Sequence, residues 1–103
     1  MEKIKIGIIG SAGYTGGELI RILLNHPMVE ISYAHSESHG NEPFYKVHKD
    51  LLGETEMKFS DEYHFNIDLI FLCVSAGNGK KFVENNYPHL KNIKVIDLSP
   101  DYR

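Results

Sequence analysis

Three glycines, Gly10, Gly13 and Gly16, stand three residues apart between an apolar run and an amphipathic one. The run before them, Ile4-Lys5-Ile6-Gly7-Ile8-Ile9, is short, β-branched and nearly continuous. That pattern suits a strand buried on both faces, as in a parallel sheet. After the glycines a helix is predicted from about Thr15 to Asn25, with Gly16, Leu19, Ile20 and Leu23 on one face. Pro27 ends it, because the residue before a proline avoids helical backbone. A strand turning through glycines into a helix favours a crossover architecture, in which the helix packs back over the sheet before the next parallel strand begins.

The rest of the chain continues the alternation. Val29 to Ala34 reads as a second strand, and Asp68 to Val74 as a central one. The turn Ser75-Ala76-Gly77-Asn78-Gly79 leads to a helix predicted from about Gly79 to Tyr87. Asn92 to Leu98 is the last strand. The stretch from His35 to Lys58 is ambiguous, broken by Gly40, Pro43 and Gly53. A short helix over Tyr45 to Leu52 and a short strand over Glu56 to Phe59 are expected there, because a long structureless loop is uncommon in a compact domain. The expected fold is α/β and Rossmann-like: three layers, a mostly parallel sheet, helices on both faces, truncated in its second half. With 103 residues the chain holds one domain, spanning 1–103, and its end just after a strand reads as a cut where a site is being built.

The glycine turn carries the chemistry. Gly10 permits a tight turn, Gly13 lets backbone approach a pyrophosphate, and Gly16 lets the helix pack closely on the strand. The helix then offers unbonded N–H groups and the positive end of its dipole to phosphate. Ser11 and Thr15 add hydroxyl donors, so Gly10 to Gly16, with Ala12 and Tyr14, form a candidate cofactor-binding turn. The alternative is three turn and packing glycines without a ligand. The second predicted strand ends in Ala34-His35-Ser36, without the carboxylate that commonly holds the ribose 2′-hydroxyl of NAD. Ser36 and Ser38 can donate to a 2′-phosphate and His35 can lie along the adenine, which favours NADP (NADPH); Glu37, just after, keeps NAD open.

Here the residues resemble a family. Gly10 to Leu19, followed by Leu23-Leu24 and His26-Pro27, looks like the opening of the N-acetyl-gamma-glutamyl-phosphate reductases. Asp97-Leu98-Ser99-Pro100-Asp101-Tyr102-Arg103 looks like that family's Asp-Leu-Ser-Ala-Asp-Phe-Arg segment. The resemblance spans essentially the whole chain. It implies an NADPH-dependent reductase of arginine biosynthesis, which reduces an acyl phosphate to N-acetylglutamate semialdehyde with release of phosphate. It also implies that the nucleophilic cysteine and the acid–base histidine lie beyond Arg103, so no catalytic residue is expected in this chain and the chain alone is expected to be inactive. The full enzyme is expected to be a cytoplasmic homo-oligomer. One departure stands out: Ser75-Ala76-Gly77 replaces the family's usual Pro-His-Gly, and by the resemblance Ser75 and Gly77 are expected to face the nicotinamide half of the cofactor. Two rivals remain, a relative of the aspartate-semialdehyde dehydrogenases, whose glycine turn usually lacks Tyr-Thr, and a freestanding nucleotide-binding module.

Composition narrows the partners. The net charge of −3 comes without a basic block, so nucleic acid is not an expected partner. No run approaches the roughly 20 apolar residues of a membrane span, and Met1-Glu2-Lys3 leads straight into a strand rather than a signal peptide. One cysteine and no leader point to the reducing cytosol. Cys73 lies inside a buried strand and is expected to be inert, packed beneath the cofactor. His35, His39 and His48 share one irregular stretch without metal-ligand spacing, and are expected to be exposed loop residues rather than ligands. Glu18 and Arg21 read as a solvated helix pair. Tyr14 either shields phosphate or packs on the next turn. By resemblance Asp97 and Ser99 shape the active-site floor; the alternative for Asp97 is a cap on a neighbouring loop.

Overall fold

The computed structural model describes residues 2–99. Four strands, β1 (Ile4–Ile9), β2 (Val29–His35), β3 (Leu69–Leu72) and β4 (Lys94–Asp97), form one sheet in the order β2-β1-β3-β4. All three pairings are parallel. Helix α1 (Tyr14–Leu24) follows β1, and α2 (Asn78–Asn86) follows β3.

Successive residues of a strand face opposite sides of its sheet, and here both sides are covered. Ile6, Ile8 and Ala34 pack with Ile20 and Leu23 of α1, and with Phe44, Leu51 and Phe59 from the long β2–β3 connection. Ile9, Tyr33, Ile70 and Leu72 point the other way, towards Phe82 and Val83 of α2. The expected three layers are therefore present, and the unbroken apolar run of β1 follows from burial on both faces. Gly7 interrupts that run for a reason of space. A Cβ there would lie 2.4 Å from the ring of Tyr33, whose hydroxyl donates to the His64 carbonyl at 2.8 Å. Burial pushes the Tyr33 phenol up to about 12.

The structure corrects the reading of the β2–β3 connection. The helix expected over 45–52 is two separate 3-10 turns, Phe44–Lys46 and Lys49–Leu51. His48 breaks the run at φ −102°, ψ 84°, which lets Phe44 and Leu51 both enter the core. The strand expected over 56–59 does not form. Lys58 makes a lone antiparallel bridge with Pro43, and Ser60 a parallel one with His35. Elsewhere the elements stand close to prediction: β1 as expected, α1 and α2 one residue earlier, β2 one residue longer to His35, and β3 and β4 shorter at both ends. Asp68 stands just before β3, and its carboxylate accepts from the Lys5 amide at 2.8 Å. Among the described residues no helix is long and apolar enough to cross a membrane.

Candidate nucleotide-binding cleft

Beyond the carboxyl ends of β1, β2 and β3 lies an open cleft of about 530 Å³. Ligands of open parallel sheets bind on this side, where crossovers leave in opposite directions. Ile9, Cys73 and Val74 form its floor; Gly10, Ala12 and Gly13 form one rim; His35 to Ser38 form another; α2 closes the far side.

The glycines of the turn do different things. Gly10 has φ +79°, and a Cβ would meet the Val74 side chain at 2.7 Å and the Cys73 carbonyl at 2.8 Å. This position is closed to any side chain by conformation and by space. Gly13 is the N-cap of α1, with extended backbone and no side-chain cap. A Cβ there would find only the Gly10 carbonyl, at 3.9 Å, so the protein itself leaves open space above it. Gly17 is the first residue of α1 to donate within the turn, to the Gly13 carbonyl at 2.9 Å. The amides of Tyr14, Thr15 and Gly16 therefore lack intrahelical acceptors, as first-turn amides do. Gly16 departs from expectation in its partner: a Cβ would lie 2.6 Å from the Ser11 carbonyl oxygen, so the close packing is against the turn rather than the strand.

Ser11 departs further. It is wholly buried and does not line the cleft; its amide and its hydroxyl both donate to the His35 carbonyl, at 3.0 and 2.7 Å. The expected phosphate donor is instead a tie between the glycine turn and the end of β2. Thr15 is exposed on the first turn, and Tyr14 is 86% exposed, so it does not pack on the following turn.

At the end of β2, His35, Ser36, Glu37 and Ser38 all face the cleft. His35 is buried, edge to face with Tyr63 at 5.1 Å. The Ser36 hydroxyl accepts from the His39 amide at 3.1 Å, while Ser38 is exposed. Ser75 and Gly77 lie outside the lining, with Ser75 accepting from the Asn78 side chain at 2.8 Å. The cleft wall they were expected to supply comes from α2 instead, through Asn78, Lys81, Phe82 and Asn85. Those four sit at i, i+3, i+4 and i+7, so helical spacing was the overlooked signal. Tyr63 had none, lying in an irregular loop.

Cys73 sits in the floor, and burial first, then the nearby Asp97 carboxylate, pushes its thiol up to about 11. A raised thiol stays protonated near neutral pH, which disfavours reaction; Cys73 itself lies just past the end of β3 and is half-buried, rather than inside the buried strand expected of it. Asp97 accepts from the Ser99 amide at 2.7 Å, the capping alternative, and its other oxygen is buried without a partner among the described residues. Asp101 and Arg103 lie outside the described residues. Glu18 and Arg21 form the exposed pair expected, at 2.6 Å. His39 contacts Glu42 at 2.6 Å; His35 is buried and His39 and His48 are half-buried, contrary to the exposed loop positions expected of all three.

Residues 5–103 match the semialdehyde dehydrogenase, NAD binding domain, family. The chain belongs to this family. Within it, the chain is 48% identical to an N-acetyl-gamma-glutamyl-phosphate reductase of Azobacteroides pseudotrichonymphae, over 97% of this chain and 31% of that protein. It is 50% identical to proteins of the same name from Parabacteroides distasonis and Bacteroides thetaiotaomicron, with the same coverage of each. The chain thus spans about a third of the length of these relatives. Among solved structures, the fold is similar to an aspartate semialdehyde dehydrogenase with NADP from Candida albicans, with TM-score 0.79 and 16% identity, over 98% of this chain and 31% of that one. At the start of α1, no side chain fills the space above Gly13 and no acidic residue stands in the first turn, so nothing there repels an anion.

Proposed function

We propose that this chain is the single NADP-binding domain of a reductase that converts N-acetyl-gamma-glutamyl phosphate to N-acetylglutamate semialdehyde and phosphate. The substrate assignment draws on the names of relatives at 48–50% identity. The observation that carries the binding role is the uncapped start of α1 beneath open space at Gly13. The amides of Tyr14, Thr15 and Gly16 meet the diphosphate, and Gly10 keeps the turn tight enough to aim them. Ser38 and Lys81, on opposite walls, supply a donor and a positive charge for a 2′-phosphate. Bound NADPH supplies a hydride. Cys73 excludes water from the floor without reacting. By the resemblance, the nucleophilic cysteine and proton-handling histidine of such reductases belong to the part of the relatives' length that this chain does not span.

Glu37 supports a second reading, in which NAD is the cofactor, because its carboxylate lines the same wall. Titration of NADPH and NADH, followed by nicotinamide fluorescence, separates the two. NADPH is expected to bind the more tightly, and Gly13→Glu is expected to abolish binding of both while the fold survives. Indistinguishable titrations of wild type and Gly13→Glu would overturn the assignment of the cleft.

A further inference from the structure

His48 reaches the glycine turn from a part of the chain 37 residues away. Its Nε2 lies 2.8 Å from the Ser11 carbonyl oxygen. A carbonyl only accepts, so Nε2 carries the hydrogen and donates. The other side of the ring lies over Gly17: a Cβ there would fall 2.5 Å from Nδ1 and 2.6 Å from Cε1. Gly17 is thus a glycine because an imidazole occupies its side-chain space. The ring is held in turn. Its edge meets Phe59 at 5.7 Å, and Phe59 packs on Phe44 at 4.9 Å. The His48 amide donates to the Phe44 carbonyl at 2.8 Å, and its carbonyl accepts from Leu51 at 2.9 Å. Phe44, Leu51 and Phe59 are among the most deeply buried residues of the molecule.

Ser11 is therefore gripped from two directions. Its amide and hydroxyl hold the end of β2, and its carbonyl is held by His48. Gly16 packs directly on that same carbonyl. Moving it moves the first turn of α1.

We propose that His48 is a positioning residue for the cofactor diphosphate: by donating to the Ser11 carbonyl and filling the space over Gly17, it sets the direction of the first-turn amides of α1. The inference rests on the cofactor reading above. His48 does not line the cleft and acts only through the turn.

The test compares NADPH with adenosine 2′-monophosphate, which has the adenosine end but no diphosphate bridge, on the folded 103-residue chain. His48→Leu keeps bulk and removes the donor; it is expected to weaken NADPH about tenfold, the usual consequence of leaving a buried acceptor unpaired. Affinity for adenosine 2′-monophosphate is expected to stay within about twofold, which general destabilisation of the domain would not allow. His48→Gln retains an N–H donor and is expected to recover most of the loss. Gly17→Ala displaces the ring without deleting it, and its effect should vanish when combined with His48→Ala, because the two residues act through one contact. If His48→Leu fails to fold, the Gly17→Ala pair carries the same expectation. A wild-type chain that does not bind NADPH overturns the cofactor reading and this inference with it. Wild type that binds while His48→Leu binds as well, or loses both ligands equally, overturns the positioning role alone.

Discussion

The molecule contains the same local device twice. After β1 and again after β3 a positive-φ glycine lies in the turn before a glycine-capped helix; after β1 the two are Gly10 and the extended N-cap Gly13, whereas after β3 Gly77 is both. The two turns differ in what surrounds them. Around the first, Gly10 abuts Val74 and Cys73, Gly16 abuts Ser11, and His48 covers Gly17. Around the second, a Cβ on Gly77 would meet nothing within 4 Å, and the turn is closed by neighbours, with Asn78 bonding Ser75 through both backbone and side chain. Among the contacts of the described residues given above, one turn is clamped by residues distant in sequence and the other by residues beside it. A diphosphate site needs amides that keep their direction before the ligand arrives, because ordering them at binding costs affinity. The clamped turn meets that need. The second turn supplies instead the start of α2, whose side chains form the far wall.

The contrast between Gly10 and Gly77 is the sharpest way to break this comparison. Both have positive φ, at +79° and +86°. Gly10→Ala adds a clash with fixed backbone to the conformational strain, and is expected to cost about 2–4 kcal/mol by thermal or denaturant unfolding. Gly77→Ala meets strain alone and is expected to cost about 1 kcal/mol. Equal costs would mean that the two turns are held alike.

Cys73, in the floor of the cleft beside Gly10, gives the next largest effect. With its thiol pushed up to about 11 against an ordinary 9.0, alkylation by iodoacetamide near neutral pH is expected to run about a hundredfold slower in the folded chain than in urea. The same shift makes stability depend on pH. The folded thiol holds its proton above pH 9.0 while the unfolded one releases it, and the Tyr33 phenol does likewise above 10.0. Unfolding free energy is therefore expected to fall from about pH 9 towards 12, and denaturant midpoints across that range measure it. A flat profile would mean that the floor is wetter than the structure shows. The smallest effect belongs to the surface. Arg21→Ala, which removes the exposed partner of Glu18, is expected to leave the unfolding midpoint unchanged within error.

Helical and strand spacing made much of this legible before any coordinates. The apolar run of β1, the glycine turn and the α1 face at Gly16, Ile20 and Leu23 needed only near-neighbour relations. The far wall of the cleft was legible too, at Asn78, Lys81, Phe82 and Asn85, had the α2 face been followed. The connection between β2 and β3 was not, because its order comes from Phe44, Leu51 and Phe59 entering a core built by other elements. The serine of the glycine turn was misjudged for a related reason. Spacing puts Ser11 in the right turn, but whether its hydroxyl faces a ligand or the His35 carbonyl depends on where β2 ends.

Sequence alone determined the parallel α/β pattern and the glycine turn, because each follows from side chains within a few residues of one another. Tertiary structure decided which glycine stays open to a ligand, which hydroxyl turns inward and which histidine grips the turn. Those outcomes depend on contacts between segments 24 to 37 residues apart, as between Ser11 and His35 or His48, and no local spacing encodes them.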